Sequence, residues 1–196
     1  MFDSNDIVEK AKQKEELNIE QNKKIIVTVA RIDNEIKQIN WIPYICKELK
    51  QKCKTPFCWY VVGKGPDLNS NIELTKELEV DDVLKFVGER RNPFALENKA
   101  DFTVLVSKSE AYPMTIIESF ILKKPIVTTK FCAVHEMVVS EKNGLIVNQN
   151  IDDVVEGVIK FLNDSKGVYT KCIAFLKEYN HSNDIAYQQL MAAINM

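Results

Sequence analysis

Ile25-Ile26-Val27-Thr28-Val29-Ala30 is a continuous, mostly β-branched apolar run, the pattern of a strand covered on both faces. Arg31 follows directly, then a polar turn, then a helical stretch over residues 41–52 with Pro43 tolerable in its first turn. The alternation repeats downstream. Residues 57–62 (Phe-Cys-Trp-Tyr-Val-Val) read as the second strand, ending in Gly63-Lys64-Gly65-Pro66, and residues 68–78 as the next helix. Further strands are expected at 83–87, 102–106, 126–128 and 144–147. The helices between and after them are expected at 92–99, 114–122, 134–139, 151–162, 168–177 and 183–194. The 114–122 helix stops ahead of Pro125.

Strands alternating with helices at this spacing specify parallel βαβ units, whose crossovers are nearly always right-handed. The expected fold is therefore α/β: a doubly wound, Rossmann-like six-stranded parallel sheet with helices on both faces and extra C-terminal helices. Upstream, residues 1–22 are rich in Asn, Gln, Glu and Lys, and Ile7, Val8, Ala11 and Leu17 support at most one weak helix. That segment reads as a lead-in or linker, leaving residues 23–196 as the domain.

Bulk properties narrow the function. A chain of 196 residues suits one domain with a real core. A formal net charge of −2 gives no broad electrostatic grip on nucleic acid. No apolar stretch approaches the roughly 20 residues of a membrane-spanning helix. The five cysteines (Cys46, Cys53, Cys58, Cys132 and Cys172) are odd in number and form no Cys-x-x-Cys pair. They read as reduced and mostly buried, in a cytoplasmic protein. His135 and His181 have neither metal-site nor triad neighbours.

In a doubly wound sheet, ligands bind beyond the carboxyl ends of the strands, so the residues just after each strand carry the functional information. Arg31 and Lys37 follow the first strand, Gly63-Lys64-Gly65 the second, Gly88-Glu89-Arg90-Arg91 the third, and Ser107-Lys-Ser-Glu110-Ala-Tyr-Pro-Met-Thr115 the fourth. Only 3 of the 26 basic residues are arginines, and all three fall at this edge. Arg31 can give phosphate two parallel hydrogen bonds, and Lys37 adds a mobile positive charge; the alternative is two solvated cations after a strand. Gly63-Lys64-Gly65 is either a tight turn or a turn that lets a ligand approach the backbone. It is neither a dinucleotide fingerprint nor a phosphate loop of the Gly-x-x-x-x-Gly-Lys-Ser/Thr kind.

The segment after the fourth strand is the most informative. Pro113 suits the first position of a helix, which would aim the N–H groups of Met114 and Thr115 at an anion. Glu110 precedes that helix start, and Glu118 lies one turn into the helix. Two carboxylates flanking an anion site fit a ligand with both phosphate and hydroxyl groups, as a nucleoside diphosphate sugar has.

The ordered set resembles the family-four-type retaining glycosyltransferases of GT-B architecture. Glu110-Ala-Tyr-Pro-Met-Thr-Ile-Ile-Glu118 looks like the family's spaced pair of glutamates, and Ser119-Phe-Ile-Leu-Lys-Lys-Pro-Ile-Val127 like the helix end and strand after it. Val27-Thr-Val-Ala-Arg31 with Lys37, Val61-Val-Gly-Lys-Gly-Pro66, Phe86-Val-Gly88, Asn92-Pro-Phe94, Ala100-Asp101 and Glu136 with Asn143-Gly-Leu-Ile-Val147 fall in family order. The resemblance covers roughly residues 24–163.

The resemblance implies that Arg31 and Lys37 bind the donor diphosphate and that Glu118 accepts from the ribose hydroxyls. It implies a catalytic Glu110 against the donor sugar near the reacting carbon. Tyr112 and Pro113 present the backbone of Met114 and Thr115 to sugar and phosphate, and Gly63 and the Glu89-Arg90 loop complete the donor site. The donor is a nucleoside diphosphate sugar, UDP- or GDP-linked, and neither a metal nor another cofactor is implied. The family's N-terminal acceptor-binding domain has no counterpart before Ile25, so this chain is expected to be the C-terminal half of a longer enzyme. Membrane contact, at the inner face, would come only through the other half. Two departures stand out: Ala30 replaces a frequent glycine, and residues 131–136 lack the glycines common in a loop that faces the sugar.

Three rivals differ in chemistry. A non-catalytic nucleotide-sugar-binding module would keep the site without an acceptor. Half of a sugar-nucleotide epimerase would also bind a nucleotide sugar, and the Glu110/Glu118 pair argues against it. A receiver-like signalling domain would want acid where Arg31 stands.

Overall fold

The β-branched run that opens the domain becomes the centre of the sheet. The computed structural model describes residues 4–13, 19–20 and 22–179; the helix expected over 183–194, and His181, lie outside them. Six strands pair in parallel: β1 (Lys24–Val29), β2 (Phe57–Val62), β3 (Leu84–Gly88), β4 (Phe102–Leu105), β5 (Ile126–Thr129) and β6 (Gly144–Val147). Their order is β3-β2-β1-β4-β5-β6. The chain reverses direction across the sheet between β1 and β4, which creates the topological switch point of a doubly wound fold.

Side-chain alternation along β1 explains why both faces need cover. Ile26 points into a core with Ile42, Ile45 and Leu49 of α2 (Trp41–Lys52) and with Val154, Val158 and Phe161 of α7 (Ile151–Leu162). Ile25 and Val27 point the other way, toward Leu96 of α4 (Phe94–Glu97) and Ala100. On that second face, Ile116 and Phe120 of α5 (Met114–Ile121) and Val134 of α6 (Val134–Met137) cover β4 and β5. The remaining α-helices among the described residues are α1 (Ser4–Lys12), α3 (Leu68–Glu77) and α8 (Val168–Glu178). Thr28, the one polar residue of the run, is buried and satisfied: its hydroxyl donates to the Val104 carbonyl at 2.8 Å and accepts from Trp59 Nε1 at 3.0 Å.

Within the polar lead-in, α1 packs Ile7 and Ala11 against Ile117, Ile121 and Leu122 of the α5 region and against Phe94. Asn92 and Asn98 donate to the carbonyls of Lys10 and Ala11 at its C-terminal end.

The strands diverge where the site forms. β1 and β4 pair only through Ile26↔Phe102 and Val27↔Thr103. Beyond that register the two strand ends open a crevice, and their following loops line it.

Candidate functional site

The loop after β1 is built by its own polar side chains. Asp33 Oδ1 accepts from the N–H groups of Glu35 and Ile36 at 3.0 Å each. Asn34 Oδ1 accepts from Asn40 N at 3.0 Å and from Asn71 Nδ2 at 2.9 Å, while Asp67 Oδ2 takes Asn34 N at 2.8 Å. Five hydrogen bonds thus fix the segment that carries Arg31 and Lys37. The β2 loop is laid directly on it: Ala30 N donates to Val62 O at 3.0 Å and Ile32 N to Lys64 O at 2.9 Å. This close stacking accounts for the two glycines. A Cβ on Gly63 would fall 1.9 Å from the Ala30 carbonyl oxygen, and one on Gly65 would fall 2.1 Å from that of Ile32. The Gly63-Lys64-Gly65 turn therefore serves backbone approach, of which the neighbouring loop is already one beneficiary.

The fourth-strand loop is held from below. Thr129 Oγ1 donates to Ser107 O at 2.7 Å, and Gln149 Nε2 donates to the carbonyls of Lys108 and Lys130 at 2.7 Å each. Lys108 N donates to Ile36 O at 2.7 Å and so joins the two loops. Glu110 sits at the junction, only 10% exposed, with its Oε1 2.5 Å from Lys37 Nζ and 2.5 Å from Ser107 Oγ. Pro113 is the N-cap of α5, with extended backbone, and Met114 is the first helical residue. The expectation that Pro113 would occupy the first helical position is thus corrected by one residue. A ψ of 101° keeps Pro113 out of the helix. The N–H groups of Met114 and Thr115, at the helix start, have no intrahelical acceptor.

One cavity of about 1030 Å³ collects these parts. Arg31, Lys37, Gly63, Glu89, Arg90, Glu110, Tyr112, Pro113, Met114, Thr115 and Glu118 all line it, so the residues expected to hold the donor face the same space, while Gly88, Arg91 and Ser107 lie outside the lining. Lys64, Pro66, Pro93 and Leu105 line it as well. Arg31 is 69% exposed, with Nε 3.9 Å from Asp33 Oδ2, so its guanidinium is largely free to meet a ligand. Arg90 Nε is buried and has no hydrogen-bond partner among the described residues. The segment 131–136 does not contribute to the lining; Phe131 and Val134 are buried beside Leu105 and Ile116 instead.

Burial sets the electrostatics of the α5 wall. Burial pushes the Glu118 carboxyl above the usual range. Behind it, Glu97 of α4 is raised to about 8, first by burial and then by the charge of Glu118, with a Ser119 hydrogen bond opposing. Sequence reading gave Glu97 no role, because one acid in a short helix looks like a solvated face. Ser107 and Lys64 stood within runs already singled out, and only their contacts distinguish them. Among the described residues, no group of three or more His, Cys, Asp or Glu is placed to hold a metal ion.

Comparison with known proteins agrees with this architecture. The chain is 20% identical over 165 residues to the N-acetyl-alpha-D-glucosaminyl L-malate synthase of Bacillus anthracis, covering 84% of this chain and 39% of that protein. The crystal structure of a glycosyltransferase from Rickettsia africae superposes with a TM-score of 0.74 at 20% identity, over 87% of this chain and 48% of that one. The Anabaena protein HepE, solved in complex with UDP and glucose, gives a TM-score of 0.70 at 16% identity, over 89% of this chain and 49% of the other. The chain thus spans less than half the length of each of these relatives. The model of the family "Glycosyl transferases group 1" matches residues 9–178, and the chain belongs to that family.

Proposed function

We propose that this chain is the donor-binding half of a glycosyltransferase that moves a sugar from a nucleoside diphosphate sugar to an acceptor hydroxyl, with retention and without a metal. The observation that carries the reading is the single cavity that holds a helix start, Arg31, Lys37, Glu110 and Glu118 together. A phosphate group at the start of α5 would meet free N–H groups and the positive end of the helix dipole. Arg31 and Lys37 would stand on its other side. Glu118, farther along the same helix, suits the ribose hydroxyls as an acceptor. Glu110, tied to Lys37, suits the sugar hydroxyls near the reacting carbon. Glu89 and Arg90 border the remaining end, where the base would lie. UDP or GDP fits this order of parts, and HepE is known with UDP and glucose.

In the reaction the bond between the sugar's anomeric carbon and the diphosphate oxygen breaks, and the new bond forms to the acceptor oxygen on the same face. Negative charge grows on the departing diphosphate, which takes the acceptor's proton. Arg31, Lys37 and the helix start stabilise that charge where it develops, which accounts for catalysis without a metal. The acceptor would be held by a further domain facing this one. Tyr112 is 59% exposed at the cavity mouth, where such a domain would dock.

Titration calorimetry with UDP, GDP and ADP tests the reading. Heat with at least one is expected, and no heat with any of them would overturn it. Arg31→Ala is expected to weaken the diphosphate by about 1.5–3 kcal/mol, the scale of charged hydrogen bonds. An unchanged affinity removes Arg31 from the site. The chain alone is expected to transfer no sugar to an acceptor, and turnover by it would show the facing domain to be dispensable.

A further inference from the structure

Glu97 is the one buried acid of the site region that the proposed chemistry leaves unused. It is 1% exposed, and its Oε2 has no hydrogen-bond partner among the described residues. Its Oε1 lies 3.5 Å from the hydroxyl of Ser119, the residue after Glu118. Ser119 has a single hydroxyl proton, and its closest acceptor is the Thr115 carbonyl at 2.8 Å. Thr103 Oγ1, 2.9 Å from the same hydroxyl, can supply its own proton to the Ser119 oxygen. Because the serine proton lies closer to Thr115, Ser119 can offer a Glu97 carboxylate no more than a long 3.5 Å contact, and a protonated Glu97 can close the same contact as the donor instead. A carboxylate there would leave Oε2 dry and Oε1 with one long contact, which is costly in a core.

We propose that Glu97 is a positioning residue for the donor site: a carboxylic acid that keeps its proton, donates to Ser119, and leaves Glu118 as the only negative charge on the α5 wall. Of Glu97 and Glu118, only Glu118 lines the cavity. It can then accept from ligand hydroxyls without a second buried charge pushing against it or against the ligand's phosphates. The inference rests on the nucleoside diphosphate reading given above.

Among the described residues, Glu118 is the only charge found to act on Glu97. α1 meets the α4–α5 layer through Ile7 and Ala11, and its charges pair at the surface, Lys10 with Asp6 and Lys12 with Glu9. α5 brings Glu118 and Ser119, and β4 brings only the Thr103 hydroxyl. Lys99 of the following turn is exposed, and Lys124 is drawn to Asp101. Glu97 itself is raised to about 8, by burial before anything else, so its proton is present at neutral pH and leaves in mild alkali.

Two measurements test this. The first needs no ligand: side-chain carboxyl NMR of the glutamate-labelled chain should show one group titrating near pH 8, absent from Glu97→Gln. If every glutamate has finished titrating below pH 7, the inference is overturned, and the wild-type spectrum decides this even should the variant fold poorly. The second is calorimetry with UDP and GDP at pH 7 and pH 9. Wild-type affinity should drop about tenfold between them, the fraction set by one group of that pKa, while Glu97→Gln, which carries the same shape without the titration, should change less than twofold. Equal pH dependence in both proteins overturns the inference and leaves the donor site standing. No binding at either pH overturns the nucleoside diphosphate reading, and this inference with it.

Discussion

The two walls of the cavity hold their charged residues by opposite means. The β1 and β2 loops form one wall, and there polar side chains brace the fold directly: Asp33, Asn34, Asp67 and Asn71 bond to backbone or to each other, although Gln38 Oε1, Asn40 Oδ1 and Asn71 Oδ1 are buried without a hydrogen-bond partner among the described residues. The α4–α5 wall is built by burial, and it keeps a carboxyl at Glu97 with one oxygen unpartnered among the described residues. The first arrangement fixes Arg31 and Lys37 by geometry. The second fixes Glu118 by packing and makes its surroundings sensitive to protons. On the proposed reading, the first wall would meet the donor's phosphates and the second its hydroxyls, where a second buried carboxylate would work against an acceptor.

If the loop wall really depends on stacked backbones, Gly63→Ala should do the greatest damage. The new methyl would lie 1.9 Å from the Ala30 oxygen, at a φ of +146° that side chains avoid. A loss of roughly 3–5 kcal/mol of stability is expected, in the range of the severest single substitutions. Gly88→Ala provides the control, since its φ is +71° but nothing lies within 4 Å of the added methyl; it should cost about 1 kcal/mol through conformation alone. Urea unfolding of both variants makes the comparison, and equal losses would show that the stacking is not what requires Gly63.

The helix wall is probed by pH. In the folded chain Glu97 holds its proton until about pH 8, whereas in the unfolded chain it ionises near the ordinary 4.5. The folded state therefore binds more protons between those values, and stability falls as pH rises through that window. The slope is about 1.4 kcal/mol per pH unit. Glu97→Gln removes this dependence, so the stability gap between variant and wild type should widen by on the order of 3 kcal/mol from pH 5 to pH 8. Parallel stability curves for the two proteins would mean that Glu97 is hydrated and ionised like a surface acid.

The same contrast explains what the sequence disclosed. The strand runs, the loop cations and the Glu110/Glu118 spacing are local patterns: the runs became the sheet, and Arg31, Lys37, Arg90 and both glutamates line the cavity at its edge. Residues 25–30 announced a doubly covered strand because every position is apolar or, at Thr28, satisfied by Val104 and Trp59. The polar bracing of the β1 loop was not legible, since Asn34, Asp67 and Asn71 meet only after β1 and β2 have paired. Glu97 was invisible for the same reason: its burial comes from the sheet, from α5 and from its place within the layer that α1 caps, none of which marks the residue itself. The sugar-facing role expected of residues 131–136 came from resemblance alone; Phe131 and Val134 pack into the core, while Cys132, His135 and Glu136 are exposed outside the cavity lining.

The mildest test concerns the rim where the two walls meet. Lys64 of the β2 loop and Glu89 of the β3 loop form an ion pair of 2.7 Å across it, with side chains 72% and 58% exposed. Water screens such a pair, and each side chain loses rotamer freedom to form it, so a double-mutant cycle with Lys64→Met and Glu89→Gln should give a coupling of roughly 0–1 kcal/mol in stability. Its effect on a bound anion should be larger than that. Removing Glu89 frees a lysine at the cavity edge, and diphosphate affinity should then rise at low salt and return to the wild-type value as salt screens the exposed charge. A coupling well above 1 kcal/mol, insensitive to salt, would mean that the rim is buried in solution and that this wall, like its neighbour, works by exclusion of water.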